Sequence, residues 1–306
     1  MKKSKQLMYV LLVIGMILWG LSFIWYKEAY RWFNPITVVF FRLLASSSIL
    51  FLFAFITGKL KKIRKEDYKL FLLAAVFEPF LYFLGESFGM KLVSSTLASL
   101  IITTIPLFTP VAAWFFYREQ LSKLNIVGLL ISMGGVAMVV LANNVEFSSS
   151  LAGLALMFLA VFAATAYSMI VKRLTEIYNP FTIVSWQNFL GAFFFAPLFF
   201  SIDYPGMQFE TLPWESLIPL LKLTFFASIL AFVFFVNGIA QIGASRANMF
   251  TNAIPVFTAL FAWWLLDEQL GWMKLVGMVI VIGGLLMSQS ASFRFIKPWM
   301  IFKGQE

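Results

Sequence analysis

The chain has 306 residues, 61% of them hydrophobic and 12% charged, with 37 Phe, no Cys and no His. Soluble domains are about 45–50% apolar and about 25% charged, so this composition excludes a chain that presents most of its surface to water. Without Cys or His, disulfides, thiolate nucleophiles, imidazole metal ligands and Ser–His hydrolysis are excluded too, and neither a metal nor a cofactor is expected. The formal charge of +9 lies in short gaps between apolar runs. A nucleic-acid binder gathers its basic residues on one face, so no nucleic-acid partner is expected and membrane orientation explains the charge better.

A membrane-crossing helix needs about 20 apolar residues. Ten runs of about that length follow one another, continuous rather than alternating, so helices are expected and barrel strands are not. Span one, 7–26, carries Trp19 and runs into Tyr26-Lys27-Glu28 without the small-x-small site of a cleaved signal peptide. Span two, 36–57, follows Asn34-Pro35 and carries Arg42. Six residues from the outer end puts Arg42 roughly 9 Å deep at the helical rise. Span three, 70–90, carries Glu78-Pro79, Tyr82 and Glu86. Glu78 falls near the bilayer centre, and Pro79 removes a backbone donor and loosens the helix there. Glu86 matches Arg42 in depth, so the two are candidates for an ion pair, either structural or as an external gate or a substrate-carboxylate site that Glu86 releases. Eight residues apart, Glu78 and Glu86 lie about 80° apart on an ideal helix, which would let them face one cavity.

Span four, 94–117, holds Thr103, Thr104, Pro106 and Pro110, and span five, 125–142, holds Gly128 and Gly134-Gly135. Span six, 151–171, carries Tyr167, and span seven, 180–202, carries Trp186, Gln187 and Asn188. After a loop at 203–216 without basic residues, span eight, 217–240, carries Lys222 near its outer end and Asn237 deeper in. Span nine, 247–266, holds Asn248, Thr251, Asn252 and Pro255; span ten, 273–290, holds Gly277 and Gly283-Gly284. Asn248 and Asn252, four apart, are expected to share a helix face. The glycines of spans five and ten suit close packing, as scaffold or dimer contact.

With the N-terminus in the cytoplasm, seventeen Lys and Arg fall inside. Four fall outside (Lys27, Arg31, Lys91 and Lys274), and Arg42 and Lys222, within spans, complete the 23. The positive-inside rule then puts both termini in the cytoplasm, as an even span count requires.

The chain also repeats itself. Ile105-Pro106-Leu107-Phe108-Thr109, Ala113-Trp114, Glu119-Gln120-Leu121, Val127-Gly128 and Gly134-Gly135 recur 149 residues later. They reappear as Ile254-Pro255-Val256-Phe257-Thr258, Ala262-Trp263, Glu268-Gln269-Leu270, Val276-Gly277 and Gly283-Gly284. At an offset of 145, Asn34-Pro35-Ile36-Thr37 matches Asn179-Pro180-Phe181-Thr182, and Arg42 faces Gln187. Residues 1–145 and 146–292 thus form two five-helix repeats, with a cytoplasmic tail at 293–306. Five being odd, the second repeat enters the membrane from the opposite side, a design that in secondary transporters puts the site near the midplane between the halves.

Trp19-Gly20-x-x-Phe23, the Asn-Pro before span two, Arg42 and the doubled Pro, Ala, Glu-Gln-Leu and Gly-Gly pattern resemble the EamA repeat of the drug/metabolite transporter superfamily. The resemblance covers roughly residues 7–290. It implies ten helices, cytoplasmic termini, alternating access and export of small metabolites such as amino acids across a bacterial inner membrane.

Ionisable groups within spans are costly and are functional candidates by default. Glu78 and Glu86 are the candidate proton carriers, as no imidazole is available. The candidate substrate-binding set is Trp19, Arg42, Glu78, Tyr82, Glu86, Tyr167, Trp186, Gln187, Asn237, Asn248 and Asn252, with helix breaks at Pro79, Pro106 and Pro255. The amides equally suit interhelical hydrogen bonds, and the aromatics equally suit packing against lipid. The expected partners are a small-molecule substrate and the bilayer, with the chain a monomer or homodimer. A lipid-like substrate is the alternative; an intramembrane enzyme lacks any motif to support it.

Overall fold

The computed structural model describes residues 2–89, 92–93, 101–141, 150–207, 213–266 and 271–290. These residues form an all-helical membrane fold of ten helices, and each predicted span is mainly helical over its described part. Six helical segments are long and apolar enough to cross a bilayer; Ile105–Tyr117 and the helices of spans five and ten are shorter. Phe55, Phe115, Phe193 and Val279 are among many exposed large apolar side chains, as a lipid-facing surface requires.

Local sequence explains where the helices start and break. Pro35 and Pro180 each occupy the first turn of a helix, Pro35–Ile56 and Pro180–Leu198, where a missing N–H costs nothing. Spans four and nine are both discontinuous. A turn at Thr103–Thr104 precedes the helix Ile105–Tyr117. In span nine the helix Ala244–Met249 passes through a 3-10 turn at Phe250–Ala253 into the helix Ile254–Leu266. Pro106 and Pro255 are therefore second residues of new helices rather than kinks inside continuous ones. Spans three and eight carry π-helical stretches, Val76–Leu81 and Leu223–Ala231, at corresponding places.

The packing between the halves obeys an exchange rule. Span five packs on span ten, and span two on span seven. Span one packs on spans eight and nine, as span six packs on spans three and four; span two touches span eight as span seven touches span three. Spans five and ten meet backbone to backbone. A Cβ on Gly128 would stand 2.5 Å from the Ser288 nitrogen, and one on Gly284 would stand 2.4 Å from that of Ser132. Between helices in lipid, dispersion and small residues supply the association that the hydrophobic effect supplies in water. Gly134 and Gly283 instead meet nothing within 4 Å.

The two Asn-Pro-x-Thr turns dock each half onto the other. Asp203, at the end of span seven, accepts from the Thr37 N–H (3.0 Å), the Thr37 hydroxyl (2.6 Å) and the Asn34 amide (3.3 Å). At the opposite end of the bundle, the Asn179 amide donates to the Lys59 carbonyl (2.6 Å), and the Thr182 hydroxyl accepts from the Lys61 N–H (3.0 Å). There Tyr178, whose phenol pKa is raised by burial, donates to Asp67 at 2.6 Å. Lys222, expected to reach the outer surface, pairs with Glu28 at 3.7 Å, both partly exposed.

Candidate functional site

The site is built where span three stops being a helix. Glu78 has φ −145° and ψ 119°, extended rather than helical, and the peptide to Pro79 is cis. Pro79 lies against Gly191 of span seven, where a Cβ would stand 2.3 Å from the proline Cγ, so only glycine leaves room for the break. The loosening expected at Pro79 is thus a full interruption. The 80° separation of Glu78 and Glu86 does not carry over, because the helix is not continuous between them.

Glu78 is partly accessible and makes no hydrogen bond or ion pair within the described residues. Glu86 is partly accessible too, and its carboxylate accepts from the Tyr82 hydroxyl one turn back at 3.0 Å. Arg42 is 2% exposed and reaches neither acid. It donates to the Tyr26 hydroxyl on span one, and its guanidinium lies 4.6 Å from the Phe83 ring centroid and 5.4 Å from that of Tyr26. The direct Arg42–Glu86 ion pair expected from depth is therefore absent among the described residues. Tyr82 already holds Glu86, and an aromatic shelf holds Arg42, a favourable place for a desolvated guanidinium.

The matching position in the second half is uncharged. Gln187 is buried and accepts from the Tyr167 hydroxyl at 2.7 Å. Tyr26–Arg42 and Tyr167–Gln187 each join the first and second spans of a half, although at the offset of 145 Tyr26 aligns with Val171, one turn beyond Tyr167. Next to Gln187, Asn188 donates to Ser46 at 2.9 Å and to the Ser228 carbonyl at 3.2 Å, inside the π-helical part of span eight. Gln187 Nε2, Asn188 Oδ1, Ser228 Oγ and Arg42 Nε are buried without a partner in the described residues.

The other predicted site residues separate. Asn248 donates to Ser168 on span six (2.9 Å), whereas Asn252 donates to Ser132 on span five (3.2 Å). Both are buried and they diverge, since the helix gives way to a 3-10 turn between them; the expectation of a shared face fails. Asn237 accepts from Gln241 on its own helix. Trp19 packs between spans one and eight, 5.2 Å from Phe232 and 5.1 Å from Phe235. Trp186 meets Phe51 and the exposed Phe189 at the outer wall. Tyr26, Ser46 and Ser228 belong to the buried polar network and carry no sequence signal beyond being polar within apolar runs.

A groove of about 500 Å³ lies between spans three and six, lined by Leu84, Phe88, Leu92, Leu156 and Leu159. Its lining is wholly apolar.

Comparison with known proteins agrees with this architecture. The model of a family described as the EamA-like transporter family matches residues 6–141 and again 151–289. An uncharacterized transporter of Archaeoglobus fulgidus is 25% identical, with 92% of this chain and 96% of that one covered. The uncharacterized transporter YdfC of Bacillus subtilis is 26% identical, covering 92% and 90%. A solved crystal structure matches with a TM-score of 0.79 at 12% identity, over 95% of this chain and 99% of that one, a likeness of fold alone.

Proposed function

The chain belongs to the EamA-like transporter family, a multi-pass membrane family, and from that premise we propose that it is a proton-coupled secondary exporter of small polar metabolites such as amino acids. In this reading residues 1–145 and 146–292 are inverted repeats in the bacterial inner membrane, with both termini cytoplasmic. Alternating access proceeds around a site between them near the midplane. The observation that carries it is Glu78: a partly accessible carboxyl group at a helix break deep in a span, without a protein partner within the described residues. Such groups mark ion and proton pathways, because an idle one would be removed by the cost of burying it. Arg42 is held by Tyr26 and Phe83, and Tyr82 holds Glu86 in place.

Flux in proteoliposomes tests this. With an amino-acid mixture inside and a pH gradient imposed, wild-type protein should release substrate faster when protons flow in the opposite direction. Glu78→Gln should abolish the pH dependence while the protein still elutes as a folded species. Unchanged pH dependence in that variant moves coupling away from Glu78.

A second reading is a facilitator of lipid-like amphiphiles, which the apolar groove between spans three and six favours. A labelled amphiphile competing with amino-acid efflux would support it.

A further inference from the structure

The Glu-Gln-Leu motif is among the features repeated in the sequence, and nothing in the site above uses it. The structure gives its first copy a task. The helix Ile105–Tyr117 ends at Arg118 in the left-handed region (φ 54°), which turns Glu119 across to the other half. Its carboxylate accepts from the N–H of Ala244 (3.3 Å), the N–H of Ser245 (3.3 Å) and the Ser245 hydroxyl (2.8 Å). These residues begin the helix Ala244–Met249, the first segment of broken span nine. A carboxylate there satisfies orphan N–H groups and complements the helix dipole. Gly243, between spans eight and nine, has φ +89°, and a Cβ on it would stand 2.8 Å from Glu119 Oε1. The glycine serves both the turn and the approach of the acid.

One turn beyond the latch, Asn248 ties the same short helix to Ser168 of span six. Beside it, the Tyr117 hydroxyl donates to the Met169 carbonyl at 2.6 Å. Glu119 thus closes first half to second at the end of the bundle where the chain begins, over a segment already broken from the rest of its span.

We propose that Glu119 is a latch between the halves that opens and closes in every transport cycle. The proposal rests on the alternating-access reading above. Release frees Ala244–Met249 to swing about the Phe250–Ala253 turn and admits solvent from the chain-start end; closure seals that end. The second motif copy, Glu268, lies outside the described residues, and the proposal does not depend on it.

The absence of cysteine makes the native chain a ready background for crosslinking. One pair, Glu119→Cys with Ser245→Cys, spans the latch; a second, Thr37→Cys with Asp203→Cys, joins the halves at the opposite end. Each is bridged with a short bis-thiosulfonate linker and assayed for flux in proteoliposomes before and after reduction. Bridging 119 to 245 should lower flux more than tenfold, and reduction should restore it. Full bridging with undiminished flux, while the 37–203 bridge still stops transport, overturns the latch and leaves alternating access standing. If neither bridge slows flux, alternating access fails and the latch with it.

Because the cysteine pair removes the very bonds in question, Glu119→Gln provides the independent arm. With Ser168→Cys as reporter, Glu119→Gln should raise labelling by a water-soluble maleimide severalfold over the Ser168→Cys parent. Equal labelling rates overturn the proposal.

Discussion

The two halves of the bundle share a frame and differ in chemistry. In each, a tyrosine on the first span holds a polar residue on the second, and a π-helical stretch interrupts the third. The first half fills that frame with Arg42, Glu78 and Glu86. The second fills it with Gln187 and, in Leu223–Ala231, no charged residue at all. Duplication therefore repeats what packing needs, while the charge carried deep within spans, costly in lipid, sits in the first half. The docking turns differ in the same way: Thr37 meets a carboxylate, and its counterpart Thr182 meets main-chain groups.

The largest effect should come from the contact both halves build together. Gly284→Leu drives a side chain into the Ser132 backbone, which cannot rotate away. Overpacking a core costs about 1–3 kcal/mol even where neighbours yield. Loss of the folded peak on size exclusion is expected for Gly284→Leu, whereas Gly283→Leu, with nothing within 4 Å, should elute as wild type. Equal behaviour of the two would refute the backbone-to-backbone seam.

Next comes the charge asymmetry. Arg42→Gln gives the first half the second half's residue and removes the guanidinium that Tyr26 and Phe83 hold. Flux should fall more than tenfold, against less than threefold for Gln187→Leu. Exchanging Arg42 and Glu86 should not restore flux, since Arg42 is held by Tyr26 and not by Glu86. Recovery in the double variant would show that the two act as a pair.

The docking turns should give the smallest effect. Asp203→Asn weakens hydrogen bonds to a charged acceptor, worth about 1.5–3 kcal/mol, whereas Thr182→Ala loses neutral ones worth about 1 kcal/mol. Thermal unfolding in detergent should rank Asp203→Asn below Thr182→Ala, and the reverse order would mean that the main-chain contacts dominate.

Much of this was legible beforehand because bilayers constrain sequence strongly. Apolar runs of fixed length exposed all ten spans, and matches of Pro, Trp, Glu and Gly exposed the duplication. Pairings of single side chains were not legible. Depth placed Arg42 beside Glu86, but depth is one coordinate, and the angle around the helix sent the guanidinium to Tyr26. Asn248 and Asn252 looked like neighbours under a helical period that stops between them. Glu119 was legible only as part of the repeat, because its partners lie 125 and 126 residues away.

By itself, then, the sequence determined the solvent, the number of spans, the family pattern and the exclusion of thiol and imidazole chemistry, all of which follow from residue type and one-dimensional spacing. Only the tertiary structure decided that Arg42 serves an aromatic shelf, that Glu78 sits at a true break opposite Gly191, and that Glu119 closes one half on the other. Those outcomes depend on where helices break and on which faces meet, and interruptions of the helical period erase that information from the spacing of residues.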